Sequence, residues 1–219
     1  MPARSVFITG ATGYVGSRLA ADLLARGHQV RALSRPASSA RVPPGVDVVT
    51  GDALDAASFR AFVRSGDTFV HLVGTPHPSP AKAAEFRRVD LPSIHAAVSA
   101  AAAAGVSHFV YVSVAHPAPI MRAYIAVRQE GEAAIGRAGL TATILRPWYV
   151  LGPGHRWPVA LMPLYAAARL VPAWRPGAER LGLVTIGQMV AALIRAVEHA
   201  PPAGERHVID VPRIRQAAP

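Results

Sequence analysis

The chain contains no cysteine among its 219 residues, so neither disulfides nor cysteine zinc sites can hold it together, and compartment cannot be inferred from bridges. Charge is also scarce, at 16%, whereas 51% of residues are hydrophobic, a balance that excludes an intrinsically disordered chain. Lysine is nearly absent: Lys82 is the single one among 23 basic residues. No apolar run is long enough to span a bilayer, because the stretches 94–106 and 159–171 are short or broken by alanines, Pro163 and Arg169. The first residues run into an apolar strand without the pattern of a secretory leader, which leads to the expectation of a cytoplasmic protein. A net charge of +10 invites an anionic partner, but no basic run exceeds Arg87-Arg88 and no aromatic-interleaved basic patch occurs, so nucleic acid is not expected.

What the chain does have is alternation. β-rich apolar runs at 5–9, 29–33, 46–50, 68–73, 108–113 and 141–145 are separated by segments of helical spacing or composition. In the first of these segments Val15, Leu19 and Leu23 recur every four residues and share one helix face. Continuous apolar strands are those buried on both faces, and right-handed crossovers then build a doubly wound parallel sheet with helices on both faces, an α/β architecture. After Pro147 the pattern changes, as prolines punctuate an aromatic and aliphatic stretch. This divides the chain into a core over 1–147, a small C-terminal substrate-side lobe over 148–180, a return to the core over 181–212 and a frayed tail over 213–219.

The first strand ends at Thr9, and Gly10, Gly13 and Gly16 follow before the amphipathic helix. A dinucleotide pyrophosphate requires backbone N–H groups at a helix N-terminus and a turn without Cβ atoms in its way, and TGATGYVG supplies both between a strand and a helix. A nicotinamide dinucleotide is therefore expected here. At the end of the second strand an acid would accept from the ribose 2′-hydroxyl of NAD, but no acid lies between Asp22 and Asp47. Arg35, with Ser34 and Arg31 as further candidates, stands where a 2′-phosphate would sit, so NADP is expected and NAD is the less favoured cofactor.

On these motifs, and on GDALD, HLVG, YVSV, YIAVR and RPWYVLGPG in that order, the chain resembles the short-chain dehydrogenase/reductase superfamily, in its extended (epimerase/dehydratase-like) and atypical (NmrA-like) branches. The resemblance implies a Rossmann fold with a cofactor site at Thr9, Gly10, Thr12, Gly13, Tyr14, Val15, Gly16, Ser34, Arg35, Asp52, Ala53, Val73, Gly74 and Pro147. In it Asp52 bonds the adenine amino group, the less favoured alternative being that Asp52 caps the following turn. It further implies a catalytic set of Ser113, Tyr124 and, one turn on, Arg128, where the family has lysine. The guanidinium is bulkier than an ammonium and stays charged, so the position carries a cation without the lysine geometry. Glu132, four residues later, is expected to pair with Arg128.

No histidine pair has zinc-motif spacing, so no metal is expected; His71 reads as a core residue, whereas His77 and His155 lie in loops near the nicotinamide end. Trp148, Tyr149, Trp157, Leu161, Met162, Leu164, Tyr165 and Trp174 suit a wall for an apolar substrate or pack on one another. The expected activity is oxidation or reduction of a carbonyl or alcohol in a small, largely apolar molecule, with an epimerase-like variant included. The alternative is a dinucleotide-binding regulator or scaffold without turnover, akin to NmrA-like and complex I accessory relatives. A small-molecule substrate and a second copy in a homodimer are the expected partners, with no membrane span.

Overall fold

A computed structural model describes residues 3–154 and 175–217. Seven parallel strands form one sheet in the order β3-β2-β1-β4-β5-β6-β9, with β1 at Ser5–Thr9, β2 at Gln29–Ser34, β3 at Asp47–Thr50, β4 at Thr68–His71, β5 at His108–Val112, β6 at Ala142–Arg146 and β9 at Arg206–Asp210. Helices cover both faces. Helix α1 (Gly16–Ala25) and α6 (Ile186–Glu198) pack on one, α3 (Leu91–Ala104) and α4 (Arg122–Arg137) on the other.

Strand parity divides the core. Val6, Ile8, Val70 and Val110 point to the α1/α6 face, where they meet Leu19, Leu23, Met189 and Leu193. Phe7, Phe69 and Phe109 point the other way and form a row across β1, β4 and β5, with ring centroids 5.3 and 5.2 Å apart. Tyr111, two residues beyond Phe109, belongs to the same face. Between β4 and α3 the chain passes through a single turn, α2 (Ala83–Glu85), and a π-helical turn at Phe86–Asp90 that leads straight into α3.

From Leu181 the chain packs on the core through Leu181 and Val184, while β8 (Leu183–Thr185) pairs in parallel with β7 (Tyr149–Leu151) in a separate two-stranded sheet. One sequence expectation is corrected here. Of the expected frayed tail over 213–219, the described residues 213–217 are ordered, because α7 (Val211–Gln216) has Asp210 as its N-cap, and Ile214 and Ala217 are buried against the core. Much of the expected lobe, including His155, Trp157, Leu161, Met162, Leu164, Tyr165 and Trp174, lies outside the described residues; its last turn, α5 (Arg175–Arg180), is described. Among the described residues no helix is long and apolar enough to cross a membrane.

Candidate dinucleotide cleft and acid/base site

The strand order reverses between β1 and β4, and a crevice opens at their C-terminal ends, where ligands bind in open α/β sheets. A cleft of about 400 Å³ lies there, lined by Gly10, Thr12 and Gly13 after β1, Ser34 and Arg35 after β2, Asp52 and Ala53 after β3, and Val73 and Gly74 after β4. The structure thus brings together most of the expected cofactor residues.

The glycines differ in what they do. Gly10 has φ +85°, and a Cβ on it would lie 2.8 Å from the Leu72 carbonyl carbon, so it is required by the close approach of turn and strand. A Cβ on Gly16 would strike the Gly10 carbonyl oxygen. Gly13 is exposed and lines the cleft, and its Cβ would meet only that oxygen, at 3.2 Å, a tight contact that asks a small shift of the turn. A cradle that only glycine leaves open, at the start of α1, fits a pyrophosphate.

Thr9, Tyr14, Val15 and Pro147 are not among the residues lining the cleft. Thr9 is fully buried and its hydroxyl lies 2.8 Å from Nδ1 of His71; Val15 packs on the core; the carbonyl of buried Pro147 accepts from Ala115 N at 2.9 Å. The Tyr14 ring carries the Arg18 guanidinium at 4.5 Å, and its hydroxyl occupies the space a Cβ on Gly152 would need. His71 is pushed down to about 3 by burial and the nearby Arg128 charge, so it is a neutral core histidine, tied to Thr9 and facing Ser93 at 3.4 Å.

At the end of β2 the guanidinium of Arg35 is exposed and makes no hydrogen bond or ion pair with the described residues. Arg31 does not reach the cleft: it is buried, donates to Asp67 Oδ1 at 2.6 Å, just before β4, and lies over Phe7, toward the N-terminal ends of the strands. A second arginine that the sequence reading missed stands nearby, since Arg41 donates to Ser38 Oγ at 2.8 Å and Ser38 lines the cleft. Asp52 uses Oδ1 to accept from Leu54 N at 3.0 Å, so it shapes the turn while its residue borders the cleft. Glu85 and Val89, also missed, form part of the wall.

Helix α4 carries the acid/base candidates. Tyr124 is half-buried, its ring 4.9 Å from that of Phe86, and its hydroxyl makes no hydrogen bond among the described residues. Ser113 is 3% exposed and donates to Glu132 Oε1 at 2.6 Å, so its proton is already engaged. Glu132 does not pair with Arg128. It binds Arg146, whose Nε lies 2.9 Å from Oε1, and faces His116 at 3.7 Å. Burial, with the Arg146 charge, lowers the His116 pKa against the opposing pull of Glu132. Lys82, the lone lysine, donates to the Pro76 carbonyl at 2.6 Å in the loop after β4. Among the described residues no cluster of three or more His, Asp or Glu could hold a metal ion.

Arg128 is directed inward. Its guanidinium is bound to Asp90 Oδ1 at 2.7 Å and donates to the Val112 carbonyl at 3.2 Å and the Tyr111 hydroxyl at 3.4 Å. It lies beneath Gly74, where any Cβ would strike Nη2. Asp90, in turn, accepts from Thr75 N at 3.0 Å and Thr75 Oγ1 at 2.6 Å.

This geometry agrees with what the chain is similar to. The ceramide reductase of Caulobacter vibrioides is 31% identical over 210 residues, 95% of this chain, which spans 65% of that protein's length. Among solved structures, the Bordetella bronchiseptica enzyme WbmH in complex with NAD+ superposes with a TM-score of 0.69 at 23% identity, covering 95% of this chain and 75% of that one. A short-chain dehydrogenase/reductase superfamily protein from Agrobacterium tumefaciens with bound NAD gives 0.68 at 19%, covering 94% and 77%. Those likenesses carry the Rossmann fold expected from the sequence, and the model of the NAD(P)H-binding family matches residues 10–156, the stretch that holds the glycine turn, the cleft and helix α4. The chain therefore belongs to the NAD(P)H-binding family, as a Rossmann domain with short-chain dehydrogenase/reductase neighbours.

Proposed function

We propose that this protein is an NADP-dependent oxidoreductase that reduces or oxidises a carbonyl or alcohol in a small, largely apolar molecule. The observation that carries the reading is the cleft that Gly13 lines and in which Arg35, without a hydrogen-bond or ion-pair partner among the described residues, stands at the end of β2. A carboxylate there would select a ribose 2′-hydroxyl, whereas a guanidinium selects a 2′-phosphate. Arg41, held by Ser38, adds a second positive charge on the same side.

Bound nicotinamide supplies or accepts the hydride. Tyr124 is the proton carrier in this reading: its hydroxyl, without a hydrogen bond among the described residues, donates to the substrate oxygen during reduction and takes the proton back during oxidation. Ser113, with its hydrogen on Glu132, presents lone pairs and orients a donor group of the substrate. An apolar substrate is supported by the aromatic composition of 148–180 and by the similarity to a reductase named for ceramide. The test is a screen of apolar ketones and alcohols with NADPH and NADP, followed by nicotinamide absorbance. Turnover that Tyr124→Phe abolishes is the expected result, and turnover untouched by that substitution removes the acid/base assignment.

A second reading, a dinucleotide-binding regulator without turnover, is favoured by one observation: both Arg128 and the Ser113 proton are committed to partners inside the fold. Tight NADPH binding with no turnover across the screen is its outcome.

A further inference from the structure

We propose that Arg128 acts as a positioning residue through a buried ion pair with Asp90, fixing the ring of Tyr124 and the Val73–Gly74 floor of the cleft without touching the nucleotide. This rests on reading the cleft as the nucleotide site and Tyr124 as the proton carrier.

The sequence places a cation one turn after Tyr124, where it would be expected to face the cleft. The structure turns it the other way. Arg128 is 5% exposed and Asp90 1%, and the Val73–Gly74 backbone, which lines the cleft, lies between the guanidinium and the nucleotide space. Only a residue without a Cβ fits at Gly74 over Nη2, so this backbone is seated directly on the guanidinium. Two carbonyls at strand ends, Val73 of the β4 side at 3.5 Å and Val112 of β5 at 3.2 Å, accept from the same side chain, which joins the ends of two neighbouring strands.

Tyr124 is gripped from two directions. Its ring lies over the Arg128 guanidinium at 5.0 Å and against Phe86 at 4.9 Å. Phe86 and Asp90 are the first and last residues of the π-helical turn, so one irregular turn supplies both contacts: Phe86 to Tyr124, and Asp90 to Arg128. π turns widen a helix and are frequent at functional sites. Thr75, bonded to Asp90 through both N and Oγ1, ties the loop after Gly74 into the same arrangement. The result holds the cleft floor and the tyrosine in one fixed relation, and it leaves the nucleotide ribose without this side chain as a partner.

The experiment uses the full chain with 3-fluorotyrosine, whose five tyrosine signals are resolved by fluorine NMR and among which Tyr124→Phe assigns one. In Asp90→Asn the Arg128 charge loses its counter-ion and leaves its seat. The Tyr124 signal is then expected to move or broaden, although the Asp90 carboxylate binds Arg128 and Thr75 and not the Tyr124 hydroxyl. Arg128→Met gives the same effect, and Arg128→Lys, which can still pair with Asp90, gives a smaller one. NADPH affinity, measured by fluorescence titration, is expected to fall together in Asp90→Asn and Arg128→Met as the Val73–Gly74 floor loses its seat, and to be largely kept in Arg128→Lys. A Tyr124 signal that stays in place in Asp90→Asn overturns the proposal, as does an affinity lost in folded Arg128→Met but intact in Asp90→Asn, the pattern of a direct contact between Arg128 and the nucleotide. Asp90→Asn keeps the shape of the side chain and so serves even if Arg128→Met fails to fold. Turnover insensitive to Tyr124→Phe would sink the acid/base reading while leaving these signals and affinities as they are.

Discussion

Asp90 and Arg128 form an ion pair of 2.7 Å beneath the floor of the cleft, buried on all sides and 38 residues apart in the chain. A buried pair is costly to break, because removing one partner leaves an unpaired charge in a low-dielectric site. Arg128→Met should destabilise the fold by about 3 to 5 kcal/mol, measured by urea denaturation. Asp90→Asn/Arg128→Met together should cost less than Arg128→Met alone, since no charge is then left unpaired. A loss below about 1 kcal/mol in Arg128→Met would mean that the pair is solvated in solution.

Replacing Gly13 separates folding from binding. A valine there extends into the cleft and touches little else, so Gly13→Val should melt within a few degrees of the unmutated protein while losing NADPH binding. Gly10→Val, forced into a positive φ against the Leu72 carbonyl, should instead lose stability outright. Calorimetry with a nucleotide titration distinguishes the two, and normal NADPH affinity in folded Gly13→Val would contradict the pyrophosphate assignment.

Acid should weaken the fold through its buried histidines. Burial, with neighbouring positive charge, lowers His71 to about 3 and His108 to about 4, from 6.5 in an open chain. Between pH 6.5 and 4 the unfolded chain therefore takes up protons that the folded chain refuses, and stability falls as pH falls through that window. Each histidine contributes about 1.4 kcal/mol per pH unit there. His108 meets Thr143 Oγ1 at 2.9 Å, and His108→Gln should flatten the pH dependence by about one such increment. An unchanged slope in that variant would show that His108 titrates normally in the fold.

Much of the architecture could be read from the chain because its signals are local. The glycine turn sits between an apolar strand and a helix with four-residue spacing, and the β1-α1-β2 order follows from neighbours in sequence. What could not be read depends on distance and orientation. The i, i+4 rule links Arg128 to Glu132, yet Glu132 faces β6 and pairs with Arg146, while Arg128 meets an acid far upstream. Arg31 and Arg35 share strand parity, but four residues at about 3.3 Å each separate Arg31, inside β2, from Arg35, just past its C-terminal end, so only one reaches the cleft. At the C-terminus, alternating arginines hide Ile214, whose burial is visible only once α7 packs on α6. Ser113 lay in the expected strand end, but the engagement of its proton by Glu132 had no sequence signal.

The central claim, that the cleft takes NADP through Arg35, is tested most directly by titrating the purified protein and Arg35→Ala with NADPH and NADH under identical salt. A charge-assisted bond of about 1.5 to 3 kcal/mol predicts NADPH tighter than NADH by roughly ten- to hundredfold in the unmutated protein, with most of that difference gone in Arg35→Ala. Equal affinities for the two nucleotides in the unmutated protein, or a preference that survives in Arg35→Ala, would contradict it.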